Sequence, residues 1–199
     1  MKNRTKYRAI TGKQLKEALS YIPFNHRKLV EGKFQLLAHQ MADGQGRAID
    51  AHYDEASDTI LIYAFTESEI RHGVHLETIW HEVGHVVFIK TLKRKTRLQW
   101  EQVRNNDAPF PIILSDIYSR KMIWEEEFCF TYALLIRERF YERNGMKSKL
   151  KKTKQSANEI PQRSDFTRKI IQMADKKNDK PVCYREAMRR FDVWAGKLK

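Results

Sequence analysis

His81, Glu82 and His85 stand in the stretch "LETIWHEVGHVVFIK", residues 76–90, as a His-Glu-x-x-His spacing. On a helix, side chains four apart share a face, so the two imidazoles can turn toward one ion. Glu82, one position round, reaches a water held by that ion without being a ligand. This is an arrangement for metal-assisted hydrolysis with a carboxylate as general base. The bland alternative is a helix with two half-buried histidines satisfied by hydrogen bonds. Gly84 argues against it, because an interior helical glycine costs about 1 kcal/mol relative to Ala. A missing side chain there implies close approach of another element.

A catalytic zinc needs a third protein ligand and an open position for water. No histidine follows His85, so the ligand is an acid or an upstream residue. The dense acidic cluster downstream is Glu125, Glu126 and Glu127, at the start of a long helical stretch. Antiparallel packing of that helix on the His81 helix would bring one carboxylate across and complete a His2Glu site. Three glutamates at a helix start are also favourable charge at the positive end of the helix dipole, so spacing alone leaves the choice among them open.

The elements that must hold these residues can be read in order. Thr11-x-x-Gln14 is a capping box opening a helix through "KQLKEALSY", closed by Pro23. "FQLLAHQMA", 34–42, reads as a second short helix ending at Asp43-Gly44. "RAIDAHYD" and "TILIYAF" are β-leaning runs joined by "EASD", which predicts a hairpin. The helix over about 77–90 has an apolar face in Ile79, Val83, Val86 and Val87. "KTLKRKTR" reads as a solvated basic stretch and "NNDAPFP" as a loop. A long helix from about Met122 to Arg143 stops at Asn144-Gly145. Its stripe of Trp124, Phe128, Tyr132 and Leu135 is expected in the core, whereas His72 and His75 are expected at the surface or in a loop. "KSKLKKTKQSANEIPQRS" reads as an exposed linker before two shorter helices at 165–176 and 183–195.

The 199 residues carry a net charge of +13, unevenly spread. Residues 146–199 hold 16 Lys+Arg against 6 Asp+Glu, net +10, leaving +3 for residues 1–145. We therefore divide the chain into a domain at 1–145 and a basic helical extension at 146–199. Such a region suits an acidic partner, nucleic acid or an anionic surface, or serves only as solvated surface. No apolar run is long enough to cross a bilayer, and the basic N-terminal segment lacks the apolar middle of a signal peptide. Two isolated cysteines, Cys129 and Cys183, suit a reducing compartment, so a cytoplasmic protein is expected.

"HEVGH" read with "SDIYSRKMIWEEEFCFTYALLI" resembles the gluzincin metallopeptidases, in particular the catalytic domains of anthrax lethal factor and the Pro-Pro endopeptidases. The likeness covers roughly residues 47–140. It implies an α+β zincin-like domain, with a small β-sheet over the His-Glu-x-x-His helix and a second, Glu-bearing helix. It implies Zn2+ held by His81, His85 and Glu126, with Glu82 as general base and Tyr118 as the hydroxyl beside the metal. Phe128 keeps the helix face in register with Glu126 as ligand. The chain departs from the family in having Phe130 where a second acid is usual, and in placing Tyr118 eight rather than seven residues before Glu126. A seven-residue step would select Glu125.

The expected function is hydrolysis of peptide bonds in a protein or peptide substrate. An extended substrate could add to an edge strand above the metal helix, with "TILIYAF" as the candidate. Two alternatives stand beside this. One is an intracellular regulatory metallopeptidase acting on a repressor of a mobile element, which uses the same His-Glu-x-x-His motif without requiring Tyr118. The other is a nucleic-acid-binding protein with a structural metal or none.

Overall fold

The computed structural model describes residues 6–107 and 120–176, and these form an α+β arrangement of helices around small sheets. The capping box forms as the sequence predicts: Gln14 N–H donates to Thr11 Oγ1, and Thr11 N–H donates to Gln14 Oε1 at 2.8 Å. Helix α1 then spans Gly12–Ser20, and Pro23 opens α2, Phe24–Val30.

The segment after α2 is extended rather than helical. Phe34–Leu36 is a strand (β2), and Met41–Ala42 (β3) pairs antiparallel with Ala48–Ile49 (β4). The expected helix over 34–42 is therefore wrong. Phe34 is buried, Gln35 exposed and Leu36 half-buried, a period of two rather than 3.6, and parallel pairing with a buried strand outweighs helix propensity. The hairpin is present: Ala51–Asp54 (β5) pairs antiparallel with Thr59–Ile62 (β6). The sheet order is β2-β6-β5, so "TILIYAF" supplies the central strand and β5 forms an edge. The short strand Phe65–Thr66 (β7) returns to pair with Tyr7–Arg8 (β1).

A second capping box, between Thr66 and Glu69, opens α3, Glu67–His72. Gly73 at φ 79° ends α3 and starts α4, Val74–Thr91, a left-handed junction that suits a residue without Cβ. Ile79, Val83, Val86 and Val87 are all fully buried, as their spacing requires. His75 lies on this helix and is buried, not at the surface or in a loop; its ring edge meets Phe65.

Helix α5, Arg94–Asn106, starts inside the stretch expected to be solvated. Two contacts hold it. Trp100 is buried and donates Nε1–H to the Trp124 carbonyl at 2.8 Å, and Arg97 donates to the Ile89 and Leu92 carbonyls at 2.9 and 2.8 Å. The Arg97 cation thereby satisfies orphan acceptors at the C-terminus of α4. Helix α6, Arg120–Arg143, runs antiparallel to α4: Glu77 meets Arg137, His81 meets Phe130, and His85 meets Glu125. Its expected core stripe is in place, with Phe128, Tyr132 and Leu135 buried and Trp124 packed beside them.

The expected linker at 147–164 is helical as well. Lys147–Glu159 forms α7 and Pro161–Lys176 forms α8. Ala157 and Ile171 join the same core as α4 and α6, and Ser164 donates Oγ–H to the Ala157 carbonyl at 2.8 Å. Asp107, far off in sequence, accepts from the backbone N–H groups of Gln162 and Arg163 and so caps α8. A stretch rich in lysine can be helical when its sparse small or apolar positions fall on one buried face, as Thr153 and Ala157 do. The helix expected at 183–195 lies outside the described residues.

Candidate functional site

The site forms where α4 and α6 cross most closely. An ideal Cβ on Gly84 would lie 2.9 Å from Cys129 Cα, so glycine is what allows the approach. Phe88 and Phe128 rings sit 5.4 Å apart next to this crossing and fix the register of the two helices.

Three donor groups converge there. His81 Nε2 and His85 Nε2 are 3.2 Å apart. One Glu126 oxygen lies 3.1 Å from His81 Nε2, and the other lies 3.6 Å from His85 Nε2. Around a tetrahedral Zn2+ with bonds of about 2.0–2.1 Å, neighbouring donors are ~3.3–3.4 Å apart, so this two-nitrogen, one-carboxylate set fits the ion. Burial pushes the Glu126 carboxyl up, but the hydrogen bond with His81 and the His85 and His81 charges outweigh it, and the net direction is down. Glu126 is thus held as the carboxylate a metal requires.

Glu125 has a different part. Its Oε1 lies 2.7 Å from His85 Nδ1, the ring nitrogen turned away from the donor cluster. A carboxylate at that position fixes the tautomer and orientation of a ligating histidine. Glu127 points elsewhere, to Arg104 and Arg163. Of the three glutamates that spacing alone left open, Glu126 is the one against both histidines.

Cys129 is a further neighbour that sequence reasoning treated only as a small residue. His81, His85 and Cys129 present ligand atoms within 4.8 Å of one another. Cys129 and Glu126 differ in charge. Cys129 is fully buried, and burial pushes its thiol up to about 12. The thiolate, not the thiol, binds metal, so an ion would have to displace the Cys129 proton, whereas Glu126 is already held as a carboxylate. The hint in the sequence was its i+3 step from Glu126, which puts both on one helix face.

Glu82 is 6 % exposed, and its Oε2 has no hydrogen-bond partner among the described residues. Burial raises its pKa, as does Glu126, while His85, His81 and His52 work against the rise. A buried polar atom without a partner is costly, and beside a donor cluster it points to a reacting group. Glu82, His81, His85 and Glu126 share the wall of an open cavity of 1310 Å³. Ala51 and His52 of the edge strand β5 lie along the same wall, and Ser156, Glu159 and Ile160 close it from α7. Tyr118 lies outside the described residues. His72, on α3, donates Nδ1–H to the Ser68 carbonyl at 2.8 Å and is not part of the donor cluster.

No helix among the described residues is long and apolar enough to cross a membrane. No protein-family model, curated protein or solved structure matches the chain.

Proposed function

We propose that the chain is a zinc-dependent metallopeptidase with a zincin-like domain, in which His81, His85 and Glu126 hold the ion and Glu82 is the general base. The observation that carries this reading is the convergence of the two Nε2 atoms and the Glu126 carboxylate within 3.1–3.6 Å beside the unpartnered Glu82 Oε2. When bound, zinc supplies a Lewis acid that brings the pKa of a coordinated water toward ~7.

The chain's own residues do the remaining work. Glu125 locks the His85 ring through Nδ1, and its carboxylate favours the tautomer with a free Nε2 lone pair. Glu82 accepts a proton at Oε2 from the attacking water and returns it to the departing amine. A carboxyl whose pKa is raised by burial is suited to both transfers. As an edge strand, β5 can pair with an extended peptide through main-chain hydrogen bonds; β6, being central, cannot. Tyr118, by the family resemblance, donates its hydroxyl to the developing oxyanion, and Tyr118→Phe should lower kcat while leaving KM near its original value.

The test is a peptide-library digest with the zinc-loaded full chain and its Glu82→Gln variant. We expect cleavage by the wild type only, with one equivalent of zinc retained by Glu82→Gln. Equal cleavage by both proteins would contradict the assignment of Glu82.

The Cys129 group favours a second reading, a closed structural site of His81, His85 and Cys129. In that case Cys129→Ala loses the metal and Glu126→Ala keeps it. Lys147, Lys149, Lys151, Lys152 and Lys154 on α7 are exposed and support docking of an acidic partner or nucleic acid. Salt-dependent DNA binding, unchanged in Glu82→Gln, is the corresponding test.

A further inference from the structure

Buried polar atoms without partners mark a second cavity besides the one that holds Glu82. This cavity, of 310 Å³, lies between α1, the first turns of α4, the end of α6 and the start of α7. His75 and Arg137 both line it, and His75 is 5 % exposed. His75 Nδ1 and Arg137 Nε are each buried with no hydrogen-bond partner among the described residues. Such atoms destabilise a fold unless something else completes their bonds.

The chemistry of the missing partner follows from Arg137. Its Nη1 donates to both Glu77 oxygens, at 3.1 and 3.0 Å, and neither Nε nor Nη2 donates to a described residue. Glu77 therefore holds one corner of the guanidinium and leaves the side-on edge, Nε with Nη2, which can take a carboxylate through two parallel bonds. Arg71 and Lys149 border the same cavity, and neither forms an ion pair with a described residue; the one carboxylate there in the same position is Glu17. Helix α4 also begins here, and its N-cap Gly73 supplies no side-chain cap, so the positive end of an 18-residue helix adds to the cationic balance. Ile70, Leu76, Trp80, Phe140 and Met146 make the rest of the wall apolar.

We infer that this cavity is a binding site for a small organic acid, its apolar or aromatic group seated against Trp80 and Phe140 and its carboxylate on the side-on edge of Arg137, toward Arg71 and Lys149. The site does not depend on the peptidase reading. Glu77 and Arg137 line both cavities, so the acid binds behind the wall of the proposed active site and not in it.

The test is calorimetric titration of the full chain, with and without zinc, using phenylacetate, phenethylamine and inorganic phosphate as probes. We expect one phenylacetate per chain in both metal states, bound roughly tenfold or more tighter than either other probe. Arg71→Ala combined with Lys149→Ala, at two exposed positions, should weaken phenylacetate about tenfold, whereas Arg47→Ala, which lines only the first cavity, should leave it unchanged. Glu77→Gln removes the carboxylate that competes for Arg137 and should tighten phenylacetate about 3–10-fold, a gain that a disturbed fold does not produce. In histidine-labelled protein, phenylacetate should shift the His75 ring signals and leave those of His26 in place. Phenethylamine or phosphate binding as tightly as phenylacetate, the absence of saturable phenylacetate binding, or weaker binding in Glu77→Gln would overturn the site. So would binding that requires zinc, or that is lost in Arg47→Ala and kept in the Arg71→Ala, Lys149→Ala double variant, since either places the acid in the first cavity.

Discussion

Glu125, Glu126 and Glu127 are consecutive, yet α6 delivers them to two different environments. On the α4 side, Glu125 and Glu126 meet His85 and His81. On the other side, Glu127 is 2 % exposed and held by Arg104 of α5 and Arg163 of α8. Glu127 also receives the two Arg104 donors, so its buried charge is compensated by fixed cations. Among the described residues no arginine or lysine pairs with the two carboxylates on the α4 side. They face imidazoles, which are neutral when they bind a metal, and Glu82 Oε2 has no hydrogen-bond partner among the described residues. Three adjacent acids thus divide into one held by fixed arginines, which ties helices together, and two held only by imidazoles, which suit a metal cation.

The largest expected effect falls on the compensated side. Glu127→Ala leaves Arg104 and Arg163 without their carboxylate and should cost about 3–5 kcal/mol, read as a lower urea midpoint. Zinc stoichiometry of the folded fraction should not change. If that variant instead kept its stability and lost its metal, the division between the two sides would be broken.

Gly84→Ala probes the contact that brings the two helices together. A methyl 2.9 Å from Cys129 Cα must push α4 and α6 apart, costing ~1–3 kcal/mol by overpacking. Because the same crossing sets the donor spacing, zinc affinity should fall together with stability. A variant with wild-type thermal stability and affinity would show that the close approach is not needed.

Glu125→Gln sharpens the comparison on the site side. It removes the charge behind His85 and keeps most of the side chain, so zinc affinity should drop about 10–100-fold, measured by chelator competition, with little change in unfolding. No change in affinity would reduce Glu125 to an ordinary surface acid.

The smallest effect is a pH dependence belonging to the scaffold alone. His26, on α2, has Nδ1 2.9 Å from Tyr132 Oη, and burial, with a smaller push from Arg139, lowers its pKa to about 3. Its folded pKa lies below the unfolded value of 6.5, so the unfolded chain binds the extra proton between these limits. The stability from neutral His26 is complete above pH 6.5 and lost as pH falls toward 3, by no more than about 2 kcal/mol between pH 6.5 and pH 5. His26→Gln should flatten that limb of the unfolding curve; an unchanged slope would assign it to other groups.

Much of this was legible in local sequence. The Thr11 capping box, the hairpin over 51–62, the buried face of α4 and the close approach at Gly84 are each set by neighbours within a few residues or by one missing side chain. The errors came where distant partners decide. Residues 34–42 are extended because β2 pairs with β6, which no local pattern announces. The basic stretch at 147–164 folds into α7 and the start of α8 because Ala157 and the Asp107 cap fasten it to the core, whereas 90–97 is largely exposed as its composition predicts. At the site, His81, Glu82 and His85 follow from helical spacing. The separation of Glu125, Glu126 and Glu127 does not, since 100° steps around α6 acquire meaning only once α4, α5 and α8 are packed around it.

The most direct test of the central claim is zinc content by elemental analysis of purified wild type, His81→Ala, Glu126→Ala and Glu127→Gln, each dialysed after reconstitution with zinc. The account predicts one zinc per chain in the wild type and in the folded fraction of Glu127→Gln, with the metal lost or greatly weakened in His81→Ala and Glu126→Ala. A wild type without stoichiometric zinc, or a Glu126→Ala variant that holds it as firmly as the wild type, would contradict the claim.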